Sequence, residues 1–207
     1  MRAGRAMVAM AIVISVAGCA GMRAQPKAMI SREGVLTHAE TLTYVGVDFS
    51  RTVFYDEYFR FDDVAHGKVQ SWNQRALEDI QGQFPMPVAN DLAVSEKVNK
   101  KIAEKAFVTA PPDPAKWALT DASVRQEIAP WVDKKQSGHA LLIVAEQLSK
   151  PSGVVAHYVV FDRRSGEIVL LDQMTGKAGG FGIHNYYLNG LKDVANHARK
   201  EITALVR

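Results

Sequence analysis

Between His139 and Thr175 the chain carries three apolar runs, "HALLIVAEQL", "VVAHYVVFD" and "EIVLLDQMT", joined through "KPSG" and "RRSG". Runs of this length, rich in β-branched and aromatic residues and bounded by turn-forming segments, read as strands. Ser165-Gly166 supplies a tight turn, because glycine tolerates the positive φ such a turn needs. The spacing predicts three strands in an antiparallel meander over residues 140–175. Past a glycine-rich loop, Tyr187, Leu191, Val194, Ala198, Ile202 and Leu205 mark one apolar face of a helix over about five turns. A sheet and a helix with such faces must each be covered, and the rest of the chain has to attach to this pair.

Upstream, "TLTYVGVDFS" (Thr41 to Ser50) is β-branched, aromatic and partly alternating, which predicts a strand ending near Asp48. It has no tight hairpin partner, so it is expected to join the sheet beside a later strand. "RTVFYDEYFRF" is aromatic-rich and open to more than one reading. Val69, Trp72, Ala76, Leu77 and Ile80 have helical spacing within residues 64–81, and "FPMPVAND" ends that helix. Asp91 stands where it can cap a helix over "LAVSEKVNKKIAEKAF", whose Val94, Val98, Ile102 and Ala106 recur every four residues; "KAFVTA" fits the start of a strand equally well. Thr120-Asp121 open a short helix that Pro130 ends or kinks. The fold class expected is α+β: one mixed, mainly antiparallel sheet of about four to five strands packed by helices, with a long C-terminal amphipathic helix.

The first residues carry a different message. "MRAGR" is basic, "AMVAMAIVISVAG" is an apolar run too short for a permanent span, and Cys19, the chain's single cysteine, follows small residues. This is the make-up of a secretory signal peptide over residues 1–18. "VAGC" (Val16 to Cys19) resembles the lipobox of bacterial lipoproteins, with Val16 where leucine is commonest, and the resemblance implies cleavage before Cys19 and acylation there. With no second cysteine for a disulfide, lipid attachment gives the thiol a purpose, and two or three acyl chains hold far more firmly than one. Ala20 stands where an aspartate favours inner-membrane retention, so the outer membrane, periplasmic side, is the expected address. Residues 19–40 read as acylated cysteine and tether, and 41–207 as one globular periplasmic domain. Loss of Arg2 and Arg5 with the leader lowers the formal charge from +3 to +1. Basicity is then no argument for a nucleic-acid partner.

Four glycines and a lysine within Gly176 to Gly182 have the composition of a phosphate-binding loop. The spacing is wrong for one. A Walker-type loop places its lysine after the glycines and follows it with a hydroxyl, whereas Lys177 precedes Gly179-Gly180 and is followed by Ala178. The dinucleotide fingerprint fails because Gly180-Phe181-Gly182-Ile183-His184 ends on Asn185, and because the preceding strand closes a hairpin rather than opening a βαβ unit. The reading adopted is a sharp strand-to-helix turn, with Phe181 tucked inward and Asn185 as cap. The alternative is an anion held by Lys177 and the free N–H groups of the helix start.

None of His38, His66, His139, His157, His184 and His197 falls in a metal-ligating spacing, and no serine lies in a nucleophile elbow. No metal or other cofactor is expected. Ser50, two residues after Asp48, is the nearest candidate nucleophile, and Asp-x-Ser at a strand end reads instead as a turn that bonds its own backbone. Asp56-Glu57 and Asp62-Asp63 sit among Phe54, Tyr55, Tyr58, Phe59 and Phe61, a combination able to bind a sugar or peptide and more often a folded surface loop.

"YVGVDFS" and "MTGKAGGFGIHNYYLNGLK" together resemble a family of small bacterial lipoproteins, frequent in Bacteroidetes, with a "GxDFS" strand and a "TGKAGGFGxRNYW" turn. His184 here replaces the usual arginine and Tyr187 the usual tryptophan. The resemblance implies one exported domain and no particular chemistry. More distantly, "FDRRSGEIVLLDQMTG" with its closing helix resembles the curli-secretion and penicillin-binding-protein activator lipoproteins. The expected function is a non-enzymatic, lipid-anchored envelope domain of binding or assembly type. It is tethered to the membrane through acyl chains on Cys19, acts through envelope proteins and leaves room for an oligomer. Two separate contact surfaces are expected: the aromatic-acidic stretch 53–63, and the glycine loop with Lys177, Gly179, Gly180, Phe181, Gly182 and Asn185. The second reading is a small anionic ligand at that loop; the third is a hydrolase using Asp48 or Ser50.

Overall fold

A computed structural model describes residues 29–30 and 36–207. The signal peptide, Cys19 and most of the 19–40 tether lie outside the described residues. The three predicted meander strands form as β5 (His139–Ser149), β6 (Gly153–Asp162) and β7 (Ile168–Gly176), each antiparallel to the next. The early strand is β2 (Leu42–Asp48), laid parallel to β5 from Thr43↔Ala140 to Asp48↔Val144. Three shorter strands complete a seven-stranded sheet in the order β1-β7-β6-β5-β2-β4. They are β1 (Met29–Ile30), β3 (Val53–Tyr55) and β4 (Val88–Asn90). Off this path, β3 follows β2 along β5, pairing with Gln147–Ser149. The Thr52 hydroxyl bonds the Ala145 carbonyl at 2.7 Å across the break. The count exceeds the expected four to five because strands of two or three residues are too short to show a period.

Both sheet faces are buried, which is why the strands read as continuous apolar runs rather than alternating ones. On one face Leu141, Ile143, Tyr158, Val160 and Leu170 pack with α2 (Val69–Arg75) and α6 (Gly182–Leu205), through Trp72, Tyr187, Leu191, Val194 and Ile202. The alternate residues Ala140, Leu142, Val144, Val159 and Phe161 face the opposite layer. That layer holds α3 (Ala93–Asn99), α5 (Asp121–Glu127) and Trp131, with Val98, Val124 and Ile128 as its apolar contacts. The Trp72 indole N–H donates to the His184 carbonyl at 3.0 Å, tying α2 to the start of α6.

Other expectations change at their ends. The helix expected over residues 64–81 is a helical turn, α1 (Phe61–Asp63), then a π-helical stretch (Val64–Lys68), then α2. The helix expected over residues 92–107 stops at Asn99, and Asp91 does not cap it: its carboxylate pairs with Arg163 at 2.7 Å. The strand alternative for "KAFVTA" is realised as a parallel bridge, Phe54↔Phe107. A turn of helix, α4 (Pro114–Trp117), precedes α5, which Thr120 caps in a reciprocal box with Ser123. No helix among the described residues is long and apolar enough to cross a membrane.

Candidate functional site

The glycine loop is held from inside. A Cβ on Gly176 would sit far inside van der Waals contact distance of the Gly190 carbonyl oxygen, so β7 and α6 approach at a point where both residues are glycine. The Lys177 N–H then donates to the Asp193 carboxylate at 2.8 Å, and the Gly179 N–H donates to the Tyr186 carbonyl at 3.2 Å. The Asn189 amide donates to the Gly179 carbonyl at 2.8 Å. Gly180 and Gly182 take φ of 106° and 78°, a left-handed backbone that favours glycine, and Phe181 stands between them in extended conformation.

Phe181 is 96% exposed. This corrects the inward tuck expected of it: the two left-handed residues turn its side chain away from the sheet. Phe181, not Asn185, occupies the N-cap position of α6. Asn185 lies in the first turn and donates to the Phe181 carbonyl at 3.2 Å.

The aromatic stretch 53–63 meets this loop. After β3 the chain turns at Asp56, whose carboxylate accepts from the Tyr58 N–H at 3.0 Å. Phe59 goes inward, its ring 4.9 Å from that of Tyr187, while Phe54 stacks on Phe107 at 4.4 Å. The Tyr187 hydroxyl donates to Asp56 at 2.7 Å, and burial followed by this carboxylate drives its pKa far above the usual tyrosine range. The Tyr186 hydroxyl bonds the Lys150 carbonyl at 3.0 Å, and the Lys150 ammonium lies 5.1 Å over the Tyr58 ring. Together these residues enclose an open, largely apolar groove of about 550 Å³. Asp56 and Tyr58 line one side, Gly180 to Ile183 with Tyr186 and Tyr187 the other, and Lys150 the rim. Of the expected site, Gly180, Phe181 and Gly182 line the groove. Lys177, Gly179 and Asn185 support the loop behind it.

Asp48 and Ser50 do form the turn expected of them. The Asp48 carboxylate accepts from the Ser50 N–H at 2.7 Å and is fully buried. Burial raises its pKa, with the Ser50 N–H opposing. The charged groups that act on it are Glu127 and Arg51, not a histidine. Sequence reasoning missed a polar row across the meander. The Glu146 carboxylate accepts from His157 at 3.2 Å, from Gln173 at 2.8 Å and from the Leu119 N–H at 3.1 Å. Glu146 lies at a β-bulge, between the register positions of Ala145 and Gln147, so strand alternation alone does not reveal which way it points. The row is closed over by Leu119 and holds His157 at 1% exposure. Among the described residues no cluster of His, Cys, Asp and Glu is arranged to hold a metal ion.

No known family matches the sequence, and no curated protein does. Among solved structures, two crystal forms of the PelC dodecamer from Paraburkholderia phytofirmans align with it. A single-substitution variant in space group C2 matches over 88% of this chain and 100% of that one, at 14% identity and a TM-score of 0.38. The P6 form matches over 87% and 96%, at 15% identity and a TM-score of 0.34. Similarity at that level carries no inference about activity or partners.

Proposed function

We propose that the chain is a lipid-anchored, non-enzymatic domain of binding or assembly type in the bacterial cell envelope. Acyl chains on Cys19 hold it at the periplasmic face of the outer membrane, and it acts through protein partners gathered there. The observation that carries the reading is the groove. Two stretches far apart in sequence unite in an open surface of tyrosines and one exposed phenylalanine, the kind of exposed apolar patch that marks a contact surface of an envelope-bound domain. Its one carboxylate, Asp56, is held by the Tyr187 hydroxyl and the Tyr58 N–H rather than aimed at a reactant. The lipobox-like "VAGC" and the resemblance to small bacterial lipoproteins point the same way. Anchoring raises the local concentration of any partner on the same membrane, so weak contacts suffice.

An anion at the loop would meet the Asp193 carboxylate, which already holds the Lys177 N–H. That opposes the ligand reading. The test is crosslinking in intact cells followed by capture, comparing the native protein with Cys19→Ala. Envelope proteins should be recovered with the native form and lost from the variant. Equal recovery with both, or no partner with either, would overturn the proposal.

A further inference from the structure

The direction of β1 shows from which end of the sheet the chain enters it. Met29 pairs with Leu171 and Ile30 with Leu170, antiparallel. The chain therefore enters β1 from the side of the Gly176 end of β7, where the strand passes into the glycine loop. The stretch of β7 from Leu171 to Gly176 is about 17 Å long at about 3.3 Å per residue. Nine residues lie between Cys19 and Met29, and the ten steps from one to the other reach at most about 35 Å. That length exceeds the remaining run of β7, so an acylated Cys19 is within reach of the end that carries the groove.

The same end is built for such a surface. Among the described residues the exposed large hydrophobic side chains are Phe181 at 96% and Tyr58 at 61%, and both line the groove. Phe181 is not loose. Its loop is fixed by Asn189, Asp193 and the Tyr186 carbonyl, so an apolar ring is held out into solvent by a rigid support. Lys150 lies over Tyr58, and Lys177 is exposed on the same loop. Aromatic rings with lysines at their edge suit the boundary between acyl chains and anionic headgroups.

We propose that the groove end is the face that docks on the lipid bilayer. Phe181 enters the acyl–headgroup boundary, Tyr58 and Tyr186 lie at headgroup level, and Lys150 and Lys177 meet the phosphates. This rests on the acylation of Cys19 proposed above and names the occupant of the same groove. Acyl chains fix only the distance of a tethered domain from the membrane; a second contact at the ring of Phe181 fixes its orientation. Partners then bind the surfaces that this seat leaves open.

The test places a photoreactive benzophenone amino acid at position 181 of the full-length chain, and in a second sample at Ser165, on the turn between β6 and β7 at the opposite end of β7. Both are irradiated in native envelope membranes. Neither position is buried, so the fold tolerates the probe. Position 181 should give phospholipid adducts about tenfold above position 165. A protein adduct as the main product at 181, or equal lipid yields at the two positions, would overturn the docking face. The mass of the mature N-terminal peptide, read from the same samples, separates the two claims. An unmodified Cys19 sinks the anchored reading and this inference with it, whereas an acylated Cys19 without lipid adducts at 181 sinks the docking face alone.

Discussion

At the scale of single residues, one glycine of the loop is indispensable for packing and another is not. A Cβ at position 176 meets the Gly190 carbonyl on α6 and the Val194 side chain, while a Cβ at position 179 meets nothing within 4 Å. Backbone cannot step aside as a flexible side chain can. Gly176→Ala should lower stability by about 2–3 kcal/mol, the upper part of the range for overpacking, and Gly179→Ala by no more than about 0.5 kcal/mol. Urea unfolding of the two variants checks the contrast. Spacing, not composition, separated a turn from a phosphate loop, because such a loop needs its lysine and hydroxyl at set positions after the glycines. It could not rank the glycines, since the partner of Gly176 is another glycine on a distant helix. Phe181 misled for a related reason. An apolar side chain is expected to face inward, but the left-handed conformations of Gly180 and Gly182 decide its direction, and a sequence does not display φ.

At the scale of elements, β2 shows how a strand is held where its neighbour ends. β4 covers only Leu42 to Tyr44. Beyond it, Asn73 accepts from the Val47 N–H at 2.6 Å, and Asn99 both accepts from the Phe49 N–H at 2.7 Å and donates to the Val47 carbonyl at 2.8 Å. Two side-chain amides stand in for the missing strand. Asn99→Ala leaves a buried donor and acceptor without partners, which should cost about 2–3 kcal/mol. Hydrogen exchange at the Phe49 amide should quicken by more than global destabilisation explains; unchanged exchange relative to neighbouring β2 amides would refute the assignment. The same residue explains the short α3. Val94, Val98, Ile102 and Ala106 have helical spacing, yet Val94 and Val98 pack in one core cluster and Ile102 and Ala106 in the other. A single straight helix cannot serve both sides of the sheet. The helix ends at Asn99, and the chain crosses toward Phe107 and its bridge with Phe54. Periodicity records which residues are buried, not which side of the sheet buries them.

At the scale of the whole molecule, the meander and the closing helix were legible, because long buried runs and a five-turn stripe leave few alternatives. The groove was not. Its two halves stood out separately, as an aromatic-acidic stretch and a glycine loop, but their union depends on β3 lying along the end of β5 and on Tyr187 reaching Asp56. Those contacts are long-range and carry no local signature. The same architecture makes a claim about cooperativity. Both helical layers rest on one sheet, and β5 and β6 send alternate side chains into each, so loosening one layer withdraws support from the other. Leu191→Ala on α6 and Ile128→Ala on the opposite layer should each cost about 2–4 kcal/mol, within the range for large-to-small core changes. Each should move the whole transition. Trp72 and Trp131, both nearly fully buried, report on opposite layers. With Trp117 also replaced by phenylalanine, variants with Trp72→Phe or Trp131→Phe leave one of these reporters as the single tryptophan. Their unfolding midpoints, compared by fluorescence and far-ultraviolet circular dichroism within each variant, should coincide. If Leu191→Ala shifted the signal of the Trp72 layer while that of the Trp131 layer held its midpoint, the two layers would be separate cooperative units, and the shared sheet would not couple them.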